Sequence, residues 1–325
     1  VKKYGDARKT ELMHIELKPE EKEIAEVIPE DVVVVATQSG LIKKVPTASF
    51  KVQKKGGKGV KSDDDVILDV IKTNTVDTIM FFTNKGKMYR TVVDNIPNGT
   101  NTTKGVMISS LVKLDNDEKV MAISSLHRKS TPQYIIFVTK NGMIKKSYLE
   151  EYTKTNRNTG IAALNVKDGD EVVDIIFQDE EDMVLVTKNG MSIKFATKDV
   201  APIGRVAMGV KGIKLAEGDE VIAALPIHKV TDQIAIFTDG GLGKKVDINE
   251  LPMQARGGKG TIIYKPTEQT GSVVGSAMVS DEDLILLSGN KTSICFSAKD
   301  IPSLGKTGIG NIMIKNNRVL SVTKI

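Results

Sequence analysis

From about residue 30 onward the chain repeats one pattern: an apolar run of four or five residues, a Thr or Ser, then a glycine turn. It reads VVVVATQSG (32–40), IMFFTNKG (79–86), YIIFVTKNG (134–142), MVLVTKNG (183–190), IAIFTDGG (234–241) and LILLSGN (284–290). β-Branched and aromatic runs bounded by turn residues predict buried strands. Asn-Gly and Lys-Gly tips predict tight hairpins, because Asn and Gly tolerate positive φ. The markers Thr37, Thr83, Thr139, Thr187, Thr238 and Ser288 are 46, 56, 48, 51 and 50 residues apart. That regularity predicts six units of one repeat.

Other features keep phase with the marker. A basic second strand follows the first five turns, with Lys43 and Lys44, Lys87 and Arg90, Lys145 and Lys146, Lys194, and Lys244 and Lys245. Pro97, Pro202, Pro252 and Pro302 come next in four units, and then a glycine segment: GGKGV, TKGVM, TGIAAL, MGVKGI, GGKGT and TGIGNI. Most units close on an acidic turn and another strand, such as DGDEVVDI or EGDEVIAAL. About four short strands per fifty-residue unit predict an all-β, six-bladed, propeller-like array. Few aromatics and the lack of Trp argue against WD40 blades. Only residues 6–27 could carry helix, so we divide the chain into a linker, 1–27, and a six-bladed domain, 28–325. The chain-end residues VLSVTKI are expected to complete a sheet begun near residue 30.

Composition adds exclusions. The 46 Lys and Arg against 41 Asp and Glu give a net charge of +5, so a polyanion partner must be met by local clusters. No apolar run is long enough for a membrane span. A single Cys, Cys295, forms no internal disulfide and reads as a core residue in a reducing compartment. His14, His127 and His228 are isolated from one another, and the acidic run 62–65 lacks calcium-loop spacing, so no metal site is expected. GKT at 305–307 resembles the end of a P-loop, but Asp300 stands where its first glycine belongs. No nucleophile, base and acid set emerges, and no catalytic residue is assigned. The chain opens on Val1, and we read it as a piece of a longer protein.

The candidate chemistry lies in QKKGGKG at 53–59, nearly copied as QARGGKG at 254–260. Glycines let a loop backbone approach phosphates and donate N–H groups, while lysines add charge. Duplex DNA carries about one charge per 1.7 Å of axis, and a ring of repeated loops can place a cation at each approach of the phosphates. We therefore assign an outer DNA-binding rim of Lys43, Lys44, Lys87, Arg90, Lys145, Lys146, Lys194, Lys244, Lys245, Arg256 and Lys259. Base readout is not expected, since few Asn or Gln stand beside the lysines.

Over essentially its full length the chain resembles the C-terminal DNA-wrapping domain of the gyrase A family, a six-bladed β-pinwheel within the type IIA topoisomerases. YGDARKTEL is similar to the end of that family's breakage-reunion core. Gln53, Lys54, Lys55, Gly56, Gly57, Lys58 and Gly59 match the family's GyrA box at every position. The copy departs from it at Ala255, so the box function is not carried over to it. The resemblance implies double-stranded DNA as partner, wrapped with positive handedness so that an ATP-dependent core of DNA gyrase introduces negative supercoils. It implies further partners: that core in the same chain, and the gyrase B protein in an A2B2 assembly. ATP and Mg²⁺ then belong to the rest of the holoenzyme, with no cofactor on this chain and no membrane. The DNA-cleaving tyrosine lies upstream, and the location is cytoplasmic, at the nucleoid. Two alternatives stay open. One is the topoisomerase IV counterpart of this domain, which selects substrates for decatenation, and the other is a protein-interaction propeller.

Overall fold

The computed structural model describes residues 28–49, 52–57, 60–61, 65–100, 103–129, 132–154, 159–167, 169–179, 181–229, 232–289, 292–315 and 318–325. The expected linker 1–27, residues 62–64 of the acidic run, and Lys58 and Gly59 of the first glycine loop lie outside them.

Six four-stranded antiparallel sheets form the ring. In blade 1 the order from the centre outward is Ile67–Asn74, Asp31–Thr37, Leu41–Pro46 and Val106–Met107. We call these the inner, marker, basic and edge strands. The marker strands of blades 2 to 6 are Thr78–Thr83, Tyr134–Thr139, Asp182–Thr187, Gln233–Thr238 and Leu284–Gly289. Their basic strands are Lys87–Val92, Met143–Tyr148, Met191–Ala196, Leu242–Asp247 and Thr292–Ser297. Inner strands of successive blades pack side by side, including that of blade 6 (Val319–Lys324) against that of blade 1. The inner strands of blades 1, 3, 4, 5 and 6 line a central cavity of about 750 Å³. Among the described residues the one α-helix is Glu150–Thr153.

The marker runs are continuously apolar because both faces of a blade are covered. In blade 1, Val32, Val34 and Ala36 pack against Ile79, Phe81 and Tyr89 of blade 2. Val33 and Val35 face the opposite way, toward Leu286 and Cys295 of blade 6. The phase-keeping Thr and the acidic turn are hydrogen-bond partners. Thr83 donates to Glu118 (2.5 Å), Thr139 to Asp170 (2.7 Å) and Thr187 to Asp219 (2.7 Å), each pair buried. The prolines begin a segment that pairs with the preceding blade: the Lys44 and Lys245 amides donate to the carbonyls of Pro97 and Pro302.

Each edge strand comes from the repeat that follows its blade. Blades 2 to 5 receive Ile161–Ala162, Val210–Lys211, Thr261–Ile262 and Asn311–Ile312. The rule corrects the expected closure. The chain end VLSVTKI pairs with the marker strand of its own blade, Leu284–Gly289, and does not complete a sheet begun near residue 30. Closure comes instead from Val60–Lys61, just after the first glycine loop, which pairs with Thr292 and Ser293 on the basic strand of blade 6.

Candidate nucleic-acid interface

The paired lysines do not lie where the sequence put them. Lys44, Lys145, Lys146, Lys244 and Lys245 are all buried, Lys244 completely. The ammonium groups of Lys145 and Lys244 satisfy carbonyls of the crossing segments, and the other three bond turn residues. The Lys145 ammonium donates to the Tyr152 hydroxyl (2.9 Å) and to the carbonyls of Ala163 (2.7 Å) and Arg205. That of Lys244 donates to the carbonyls of Gly305 (3.0 Å) and Lys306 (2.8 Å) and lies 5.1 Å from the Tyr264 ring centroid. Burial pushes both ammonium groups down to about 8. Lys146 bonds the Thr197 carbonyl, Lys44 bonds Asp94, and Lys245 bonds Asp281.

The half-buried members behave in the same way. Lys43 donates to the carbonyls of Thr100 and Thr103, Arg90 to Thr153, and Lys194 to Ile248, while Lys87 pairs with Asp115. Eight of these nine basic-strand cations tie their strand to a neighbouring segment or turn, Lys87 pairs within its own repeat, and the five buried ones form no outward rim. On a sheet covered on both faces, even adjacent lysines both point into protein, which a sequence pattern cannot distinguish from exposure.

The two glycine loops are built alike. In the first, the Gln53 amide donates to the Cys295 carbonyl (2.7 Å) and the Gly56 amide to that of Met313 (2.6 Å), while the Gly57 carbonyl accepts from Lys315 (3.1 Å). In the copy, Gln254 donates to Lys194 (2.8 Å) and Gly257 to Gly212 (2.6 Å), while Gly258 accepts from Lys214 (2.8 Å). Gly56 and Gly257 have φ of +70° and +78°, a left-handed turn that favours glycine. The second base of each loop is a tie: the Lys55 ammonium donates to the Asp300 carbonyl, and Arg256 Nε donates to that of Asp199 (3.0 Å). Each acceptor closes the 3₁₀ turn that follows a basic strand, Ala298–Asp300 or Thr197–Asp199. The departure at Ala255 leaves this geometry untouched. Lys54 in the first loop and Lys259 in the copy are exposed.

The segments that carry the edge strands hold the cation surface that the pairwise reading missed. Windows 52–61, 97–114, 154–167, 202–214, 252–265 and 302–315 contain seventeen of the 46 Lys and Arg and none of the 41 Asp and Glu. The remainder of the chain is left acidic, with 29 bases against 41 acids. Lys54, Lys104, Lys211, Lys214, Lys259, Lys265 and Lys315 are exposed on these segments. The available signal was the absence of acid, window by window, rather than the presence of lysine pairs. Among the described residues no group of three His, Cys, Asp or Glu could hold a metal ion, and no helix is long and apolar enough to cross a membrane.

Comparison with known proteins gives a consistent result. The family model described as DNA gyrase C-terminal domain, beta-propeller, matches residues 31–74, 77–127, 133–179, 181–228 and 232–280. The DNA gyrase A protein of Lawsonia intracellularis is 36% identical over 321 residues, covering 96% of this chain and 39% of that protein. Its Clostridium acetobutylicum equivalent is 35% identical over 333 residues, covering 99% and 40%. The chain thus spans about 40% of the length of these relatives. A solved DNA gyrase A C-terminal domain superposes with TM-score 0.79 at 27% identity, over 91% of this chain and 100% of that one. A topoisomerase IV C-terminal domain gives 0.72 at 28%, over 92% and 94%.

Proposed function

We propose, for a chain that belongs to the DNA gyrase C-terminal β-propeller family, that its acid-free edge segments form a cationic track on which duplex DNA is bent. The observation that carries this reading is the charge partition: every one of the six segments is basic and free of carboxylates, in a chain otherwise acidic. Lys104, Lys211, Lys259 and Lys315 would neutralise phosphates from the outer side of the ring, with Lys54 and Lys58 doing so at the first loop. Bending 20–30 bp by 40–90° costs on the order of 1–6 kcal/mol. Counterion release at several phosphates offsets it.

The chain's part in a reaction follows from that act. As the wrapping domain of a gyrase A protein it would hand a positively wrapped segment to the breakage-reunion core of its own polypeptide. Partnered with gyrase B in an A2B2 assembly, that core would use ATP and Mg²⁺ to convert the wrap into negative supercoils. This chain would contribute no catalytic residue and would work at the nucleoid. The complete first loop and the gyrase names of its relatives favour this over a decatenating topoisomerase IV role.

The test is DNA binding as a function of salt, beside the writhe retained when a relaxed plasmid is treated with topoisomerase I in the chain's presence. Lys104→Ala and Lys259→Ala are each expected to lower the slope of log affinity on log salt by about 0.9. The unaltered chain should retain positive writhe. Unchanged slopes would remove the edge segments from the DNA path.

A further inference from the structure

At the outer edge of blade 5 the cationic track carries an apolar projection. Ile309 and Ile312 are 61% and 51% exposed. Ile312 stands opposite Leu242 in the register of edge and basic strands, so the two side chains are cross-strand neighbours, three residues along the chain from Ile309. The loop that presents Ile309 is pinned from beneath. The Tyr264 hydroxyl donates to the Ile309 carbonyl (2.8 Å), and buried Lys244 holds the carbonyls of Gly305 and Lys306. Lys306 in turn bonds the Glu250 carbonyl (3.0 Å) through its ammonium and a Glu250 carboxylate oxygen (3.2 Å) through its amide. Gly310, at φ +95°, fixes the turn into the edge strand, and a Cβ there would lie 2.8 Å from the Gly243 carbonyl oxygen. Blade 4 repeats only the edge-strand part, with exposed Ile262 opposite Met191; the position of Ile309 is held there by exposed Lys259.

Exposed isoleucine on a strand edge is an association liability that proteins normally blunt with charge. Here it is kept on a loop too well bonded to fold it away. A rigid apolar group with exposed Lys315 three residues beyond Ile312, on a segment whose one neighbouring carboxylate, Glu250, is held by the Lys306 amide, suits a polyanion that has an apolar interior. A protein surface would offer acids to Lys315 but would not require the rigidity. Duplex DNA fits both features: bending proteins press Ile, Leu, Met or Phe between base steps from the minor groove while cations hold the flanking phosphates.

We propose that Ile309, with Ile312 on the edge strand that follows it, is a wedge that enters the minor groove of the duplex on blade 5 and sets a bend there. The inference rests on the DNA-wrapping reading and adds to it a second, uncharged mode of contact. Its consequence is a preference for duplexes with flexible pyrimidine–purine steps at the wedge, in a protein without base-edge readout.

The 325-residue chain is compared with Ile309→Ser/Ile312→Ser and with Ile309→Lys. The readouts are salt-dependent binding to duplexes of about four helical turns with either TA steps or A-tracts, end-to-end FRET of those duplexes, and retained plasmid writhe. The double serine variant should bind TA-step duplex about fivefold more weakly with an unchanged salt slope. It should also bend that duplex less, lose the TA preference and retain less than half the writhe. Ile309→Lys should steepen the slope by about 0.9 yet also lose writhe. Normal writhe in the serine variant, or better wrapping by the lysine variant, overturns the wedge while leaving the cationic track standing. Loss of concentration-dependent self-association with DNA bending intact also overturns it, since the apolar projection would then be a contact between copies. No binding by the unaltered chain would sink the DNA reading itself, and the wedge with it.

Discussion

The two glycine loops make the same backbone bonds in different company. The copy lies against the edge of blade 4, at a joint within continuous chain. Among the described residues, the core between blades 4 and 5 has thirteen buried side chains, and Lys194 ties the joint through the Ile248 carbonyl. The first loop lies against blade 6, where it joins the two ends of the ring. The corresponding core between blades 6 and 1 has six described buried residues. The position held by Lys44, Arg90, Lys146, Lys194 and Lys245 in the other basic strands is Cys295 there. One motif is thus a reinforcement in one place and a clasp in the other, and what decides between them is how much else holds the joint.

The strongest way to break that comparison is a matched pair, Gly56→Val and Gly257→Val. The nearest atom to a Cβ at either site is a carbonyl oxygen at 3.4 Å, so the local cost is the left-handed backbone, about 1–2 kcal/mol in both. The first variant should open the ring, seen as a lower sedimentation coefficient, rapid amide exchange along Val319–Lys324 and loss of retained writhe. The second should lower the melting temperature without opening it. Equal behaviour would mean that the closing joint is no weaker than the others.

Next in size is the contrast between buried and exposed lysine. Lys244→Ala empties a completely buried site and removes the ammonium partner of the Gly305 and Lys306 carbonyls, at about 1–3 kcal/mol. Lys54→Ala, on the exposed face of the first loop, should stay within about 0.5 kcal/mol. Denaturant midpoints would separate the two, and a mild Lys244→Ala would show that the basic strands are not ties.

A smaller effect concerns pH. Asp69, on the inner strand of blade 1, is pushed up to about 6 by burial in the cavity wall. The corresponding residues of blades 4 and 5 are Ala223 and Gly275. A carboxyl raised on folding binds its proton more tightly in the folded state, so its stabilising contribution is complete below about 4 and lost as pH rises through 6. Raising the pH from about 4 to 7 should therefore weaken blade 1 at Asp69, whereas the inner strands of blades 4 and 5 carry no titratable group at the same position. Asp69→Asn should raise the melting temperature at pH 8 by about 2–4 °C and change little at pH 4. A gain of the same size at both pH values would contradict the assignment.

The finest adjustment exchanges the one residue type that separates the exposed faces of the loops. Lys54→Ala and Ala255→Lys should each leave stability within about 0.5 kcal/mol. They should shift the salt slope of DNA binding by about 0.9 in opposite directions. Shifts in the same direction would mean that the loops do not share an orientation toward the duplex.

The repeat, the strands and the six blades were legible because the apolar run, its Thr or Ser and the turn glycine recur in every unit, with the Thr bonded to an acidic turn in blades 2 to 4. Closure was not legible: Val60–Lys61 is two residues long, and nothing local marks it as belonging to blade 6. The lysine pairs misled because a cation tying buried carbonyls and a cation facing solvent obey the same spacing. Lys55 and Arg256 show the difficulty within the motif itself, since their side chains join the scaffold while Lys54 and Lys259 beside them remain exposed.

Because every blade borrows its edge strand from the repeat that follows, the unit of inheritance and the unit of architecture are out of step. A duplicated or deleted repeat takes one borrowed strand and supplies another, so every interior blade keeps four strands whatever the number of repeats. Only the first and last repeats must recognise each other. In such a lineage the copy number of blades can drift freely, provided that one short sequence, the stretch from Gln53 to Lys61, keeps its fit to whichever blade comes last.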